Sequence, residues 1–199
     1  MQKPYLLGRF INSRSRAKLQ NPLKKISYPG KIHLITSDQH LEMLSEKISA
    51  AAILGFDTET RPSFAKGEFH KVALLQLATH EEAYLIRLHT ITNFEFIKFI
   101  LECEKIVKVG AAIHDDLKAL QKQFKFTPKN FVEIQSLAKQ KGVKNMGLKG
   151  MTEEVLNAAL SKAAKITNWE ATELTEAQIL YAATDAWISL RLLEVLNTR

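Results

Sequence analysis

Short apolar runs bounded by polar residues fill the first two thirds of this chain, and helix-spaced apolar stripes fill the last third. Lys31–Ile35 predicts a strand, and Ser37 or Asp38 then caps a helix over about residues 39–49. Ala51–Asp57 is a compact apolar run of the kind that forms a buried strand. Val72–Ala78 and Ala83–Leu88 predict two strands joined by Thr79–Glu82, and Thr92 or Asn93 opens an amphipathic helix reaching Cys103. Lys105–Gly110 predicts a further strand, followed by a helix near 112–123 and a last strand at Phe131–Ile134. Helices near 135–141, 147–160 and 175–197 complete the chain. Strands mostly early and helices mostly late, with one strand–helix–strand alternation between, predict a three-layer α/β or α+β domain around a mixed sheet.

The 199 residues suit one domain with a substantial core, and 46% hydrophobic with 25% charged content is ordinary for a globular protein. Charge changes the picture more. Residues 1–30 carry Lys3, Arg9, Arg14, Arg16, Lys18, Lys24 and Lys25 with no acid, which equals the whole net charge of +7. The organisation expected is therefore a basic arm over 1–30, ending at the turn Tyr28-Pro29-Gly30, and a neutral domain over 31–199. A basic arm suits a polyanion such as nucleic acid. A solvated tail reads equally from these residues, and an organelle transit peptide is a lesser alternative. The single cysteine, Cys103, excludes an internal disulfide or a multi-thiolate metal site and is expected to be a buried thiol in a cytoplasmic setting. No stretch has the roughly 20 apolar residues of a membrane span, and no export signal is expected.

The candidate chemistry is acidic. In Gly55-Phe56-Asp57-Thr58-Glu59 the strand period of two places Asp57 and Glu59 on one side, with Phe56 and Thr58 turned away. Two such carboxylates repel unless a cation lies between them, although spacing alone leaves a solvated strand end open. In the helix from Ile113, a step of 100° per residue groups Ile113, Leu117 and Leu120 with Asp116 and turns Asp115 outward. An inward carboxylate is costly without a partner, and a metal is one such partner. His114 reads as a surface or hydrogen-bonded histidine ahead of a metal ligand. Tyr181 and Asp185, four apart on the last helix, lie one above the other. Alone, that pair also fits a core helix tied down by a hydrogen bond.

Together and in this order, the three signals resemble the DEDDy exonuclease superfamily, and within it the ribonuclease D and Werner-type exonuclease branch. Lys71–Leu77 resembles the second strand of that family. Asn168-Trp169-Glu170 and Leu174–Ala186 resemble its third motif and lead-in. The likeness spans roughly residues 30–199. Trp187 stands near an aromatic position often held by tyrosine, and the basic loop 61–71 departs from the family. Leu180, five residues before Asp185, occupies the place of the histidine in the histidine-dependent branch, which is disfavoured.

The resemblance implies an RNase H-like fold and a 3′→5′ exonuclease using two divalent cations, Mg²⁺ or Mn²⁺. By that likeness Asp57, Glu59 and Asp185 hold one ion, Asp57 bridges to the second, Asp116 supports the second, and Tyr181 aligns the attacking water. Phe56, Thr58 and Thr60 flank the first motif as candidates for sugar or base contact, and Lys66, Lys71, Lys144 and Lys149 as candidates for phosphate. The substrate implied is DNA or RNA with a free 3′ end. Two rivals stand beside it. One is a non-catalytic nucleic-acid-binding module that retains the fold, against which the presence of all five residues argues. The other is an endonuclease or transposase-like relative, which has no need of the Tyr181–Asp185 pairing.

Overall fold

A computed structural model describes residues 22–62, 70–161 and 167–198. Lys66 and the arm residues 1–21 lie outside them. The described chain builds a six-stranded mixed sheet between two helical layers. In chain order its elements are β1 (Lys24–Ile26), β2 (Lys31–Ile35), α1 (Asp38–Ser49), β3 (Ile53–Thr60), β4 (Val72–Ala78) and β5 (Glu82–Arg87). After them come α2 (Glu95–Glu102), β6 (Val107–Gly110), α3 (Ile113–Gln121), β7 (Phe131–Glu133), α4 (Ile134–Gln140), α5 (Leu148–Leu156), β8 (Ala158–Leu160) and α6 (Glu176–Asn197). The large sheet runs β2-β5-β4-β3-β6-β7, with β4 antiparallel to both neighbours and the outer pairings parallel.

Alternation along the central strands sorts side chains into two cores. Leu54 and Phe56 of β3, Leu75 and Leu77 of β4, and Tyr84 and Ile86 of β5 face the layer of α1, α2 and α3. Leu74 and Ala78 of β4 and Ala83 and Leu85 of β5 face α6, meeting Ala182, Ala183 and Ala186. A third cluster joins Val109 of β6 to α4, α5 and the end of α6. Small residues let α6 lie close to the sheet. A side chain at Gly55 would meet the Ala186 carbonyl oxygen at 2.1 Å, so the helix rests directly on the β3 backbone. Thr175 starts α6 with a capping box closed by Gln178, which satisfies two helix-end donors reciprocally.

Three departures from the sequence reading have physical reasons. The chain predicted as one helix over 147–160 breaks at Asn157, which takes a left-handed conformation (φ 50°), and Ala158–Leu160 then becomes β8. Its partner is β1, in parallel register Lys24↔Ala158 to Ile26↔Leu160. Part of the basic stretch is thus attached to the folded body. Tyr28 is buried, its N–H donates to Thr184 Oγ1 at 3.0 Å, and its ring meets Trp187 edge-on at 5.7 Å. A short strand in a polar, lysine-rich context carries no periodic signal, so its pairing is set by tertiary contacts. The third departure is Cys103, which is half-buried at the end of α2, where its carbonyl accepts from Lys108 Nζ at 2.7 Å.

Candidate active site

The strand predicted as Ala51–Asp57 runs on to Thr60, so Asp57 and Glu59 share the α6 face of one continuous strand. Close seating of α6 on Gly55 brings Asp185 over that face. Ligand oxygens of Asp57, Glu59 and Asp185 all lie within 4.8 Å of one another. Asp57 is held well above the ordinary carboxylate range, first by burial and then by the charges of Asp185, Glu59 and Asp116. Three close carboxylates of this kind could hold a hard cation, with oxygen donors only.

Asp116 arrives from the opposite layer. Thr58 points to the α3 side, as its place in the alternation requires, and its hydroxyl donates to Asp116 Oδ1 at 2.6 Å. Burial lifts Asp116 to about 6, against the lowering effect of the Thr58 bond. Asp115 and His114 are exposed. The N-terminus of α3 is anchored by Glu133: the N–H groups of Ala112 and Ile113 donate to its two carboxylate oxygens at 3.0 and 2.9 Å. Ala112 holds a left-handed conformation there (φ 58°). Glu133 escaped the sequence reading. Its one legible sign was an acid at the junction of a strand and a helix.

Tyr181 lies one turn before Asp185, and its hydroxyl hydrogen-bonds to that carboxylate. The phenol is pushed far above its ordinary value by burial, then by the charge of Asp185 and the bond to it. Trp169 packs beside the ring, with centroids 6.2 Å apart. The segment bearing Trp169 is fixed by buried Arg87, whose guanidinium donates to the carbonyls of Thr172, at 2.7 Å, and Ala171. Asp57, Asp116, Tyr181 and Asp185 all open onto a cleft of about 900 Å³, walled also by Gly147–Lys149 and Leu160–Ser161, and Asp115, although exposed, borders it as well. Gln135 and Ser189 line it too and were not foreseen.

Among the predicted substrate contacts, Phe56 is corrected. It is fully buried and meets Phe131 edge-on at 5.2 Å, because alternation points it into the core. Thr58 is engaged with Asp116, and Thr60 is exposed at the strand end. Lys149 lies on the cleft wall, paired with Glu153 at 3.4 Å, while Lys71 and Lys144 are exposed. Trp187 is buried away from the cleft, and its indole N–H donates to His80 Nδ1 at 3.3 Å.

Strand order, layering and this carboxylate centre define an RNase H-like domain of the acid-cluster nuclease type. The chain belongs to the 3′-5′ exonuclease family, whose model matches residues 32–199. It is 32% identical over 185 residues to the bifunctional 3′-5′ exonuclease/ATP-dependent helicase WRN of Mus musculus, covering 88% of this chain and 13% of that protein. It is 35% identical over 156 residues to a 3′-5′ exonuclease of Arabidopsis thaliana, covering 75% of this chain and 54% of that one. The crystal structure of Escherichia coli RNase D, an exoribonuclease involved in structured RNA processing, superposes with a TM-score of 0.75 at 30% identity, covering 84% of this chain and 46% of that one. The chain thus spans about half or less of the length of these relatives. No helix among the described residues is long and apolar enough to cross a membrane.

The split between Asp116 and Asp115 gives a test with a sign. Asp116→Asn is expected to lower turnover by about 10–100-fold, the scale of losing a group that supports a metal, and Asp115→Asn to leave it within about twofold. In metal-free protein the folded state holds the Asp116 proton up to about 6, above the ordinary 3.8. Its contribution to stability is therefore full below 3.8 and lost as pH rises through 6. Melting curves between pH 3.5 and 7 should fall less steeply for Asp116→Asn than for wild type. Equal turnover loss in the two variants would show the α3 face misassigned.

Proposed function

We propose that this domain is a 3′→5′ exonuclease that removes nucleoside 5′-monophosphates from DNA or RNA with two divalent cations, Mg²⁺ or Mn²⁺. The observation that carries the reading is the approach of Asp57, Glu59 and Asp185 to within 4.8 Å, with Asp57 and Asp185 opening onto a cleft shared with Asp116 and Tyr181. The donor set fits: all are hard carboxylate oxygens, which favour Mg²⁺ or Mn²⁺ over zinc. Asp57, Glu59 and Asp185 would hold one ion, and Asp57 and Asp116 the other. When bound, such a pair lowers the pKa of the attacking water and neutralises charge on the leaving 3′-oxygen during in-line displacement.

The remaining work belongs to the protein. Tyr181 stands beside Asp185 with a neutral hydroxyl and aligns the water by hydrogen bonding rather than by taking its proton. Thr58 and Glu133 hold Asp116 in place, the first at its carboxylate and the second at its helix end. Thr58, Thr60 and Lys149 stay as candidates near the substrate path, with Lys149 on the wall where a phosphate would pass. Matched 5′-labelled DNA and RNA oligomers, with free or blocked 3′ ends, test the reading in Mn²⁺, Mg²⁺ or EDTA. The expected result is a ladder of shortened products from free 3′ ends with metal. Cleavage of blocked oligomers, or no cleavage at all, would overturn it.

The basic arm is assigned to the same polyanion. Because β1 and Tyr28 belong to the fold, the informative deletion removes residues 1–21, with five of the seven basic charges. Affinity for an oligonucleotide should fall, and its logarithmic salt slope should flatten by about 0.7 for each lost single-strand phosphate contact, or about 0.9 for duplex. An unchanged slope would leave the arm without a role in binding.

A further inference from the structure

Gln76 sits in the middle of β4, fully buried, and neither its amide nitrogen nor its amide oxygen has a hydrogen-bond partner among the described residues. A primary amide offers two donors and two acceptor lone pairs, and buried polar groups are almost always satisfied. Its surroundings sharpen the anomaly. On the same face, Leu74 and Ala78 flank it along the strand, and the alanines of α6 cover that patch. Across the two neighbouring strands it is paired with Leu85 of β5 and with Asp57 of β3. Of those two facing side chains, only Asp57 is polar. Directly opposed residues of an antiparallel pair project to one face with Cβ atoms about 4.5–5.5 Å apart, which rotation of the glutamine side chain spans.

A core position between leucine and alanine would be filled more favourably by an apolar side chain. An amide is retained where it is costly, beside the one carboxylate assigned to both ions. We propose that Gln76 is the positioning residue of the acidic centre: its amide N–H donates to the Asp57 carboxylate when that group is charged, and fixes the orientation in which Asp57 faces both cations. Donation to the ionised form is charge-assisted and stronger than a neutral bond. Outer partners of metal-binding groups act in this way, by locking the orientation of the ligand they touch. The amide sits behind Asp57, under α6, so it orients the carboxylate without touching substrate. The inference rests on the metal-dependent reading of the centre.

Gln76→Met keeps length and volume and removes the amide, and Gln76→Leu provides a second apolar replacement. In EDTA both are expected to melt at or above the wild-type temperature, since an unsatisfied buried amide is gone. Calorimetric titration with Mn²⁺ alone, without nucleic acid, should show the dissociation constant raised about 10–100-fold. The single-turnover rate on a labelled oligomer should recover in part at saturating Mn²⁺, with KM for the oligomer unchanged. Wild-type Mn²⁺ affinity in the variants would overturn the assignment. So would loss of folding in both, because a side chain with no partner cannot unfold the protein by its removal. Failure of the wild-type protein itself to bind Mn²⁺ would sink the metal-dependent reading instead, so the two failures are distinguishable.

Discussion

Replacing Asp57 with alanine is expected to abolish nucleotide release while the metal-free protein melts at or above the wild-type temperature. The two effects share one cause. Asp57 is held well toward protonation, first by burial and then by Asp185, Glu59 and Asp116. At neutral pH and without a cation, its charge opposes folding. The sign follows from linkage. A carboxyl raised in the folded state contributes stability below its unfolded value and loses it as pH rises through the folded one. Alanine removes that loss, and the metal-free gain should grow from pH 4 toward 7. With Mn²⁺ the ranking reverses: wild type gains stability from the bound ions in proportion to ln(1 + [L]/Kd), and Asp57→Ala gains little. Turnover should fall by at least about 10²–10³-fold, the scale of losing one preorganised electrostatic stabiliser. Asp185→Ala should behave alike. Near-wild-type release by Asp57→Ala would remove the carboxylate centre from the mechanism.

How far the sequence carried this picture follows from which signals are local. Val72–Ala78 was readable as a strand because it is a continuous apolar run, buried at every position, and the two apolar faces of 175–197 were readable from helical spacing. The acid pair Asp57 and Glu59 was readable from strand geometry, and the inward turn of Asp116 from helical geometry. Neither reveals that the two groups approach from opposite layers. Thr58 illustrates the gap: alternation correctly turns it away from Asp57, yet its partner Asp116 is 58 residues distant in sequence. Glu133 and Gln76 were silent for the same reason, since their meaning lies in pairing across strands and at a helix end. Phe56 went the other way. Proximity to the motif suggested substrate contact, where alternation alone already pointed it into the core. The strand β8 was lost because residues 147–160 have helical composition, and only Asn157 marks the break.

Tyr181→Phe separates chemistry from architecture at the residue where both claim the same hydroxyl. In the metal-free protein that hydroxyl bonds to Asp185, so its removal is expected to cost a hydrogen bond of about 0.5–1.5 kcal/mol, with charged partners at the upper end. For a domain of this size that lowers the melting temperature in EDTA by roughly 2–4 °C. Such a drop follows whether the tyrosine is catalytic or merely ties α6 in place, so melting alone decides nothing. The ring stays against Trp169 in either case. Under the proposed two-cation reading, Asp185 would turn its charge to the ions and leave the phenol free to hold the attacking water. Loss of that alignment is expected to lower the single-turnover rate by on the order of 10²-fold at saturating substrate and Mn²⁺. Affinity for Mn²⁺ and for the oligomer should hold within about twofold, since no carboxylate and no packing surface is lost. The split between rate and binding is the signature of orientation, because a ligand defect moves the Mn²⁺ midpoint and a packing defect moves the melting temperature in metal as well as in EDTA. A variant that melts lower yet turns over at the wild-type rate would confine Tyr181 to the helix it belongs to and leave the carboxylates to align the water alone.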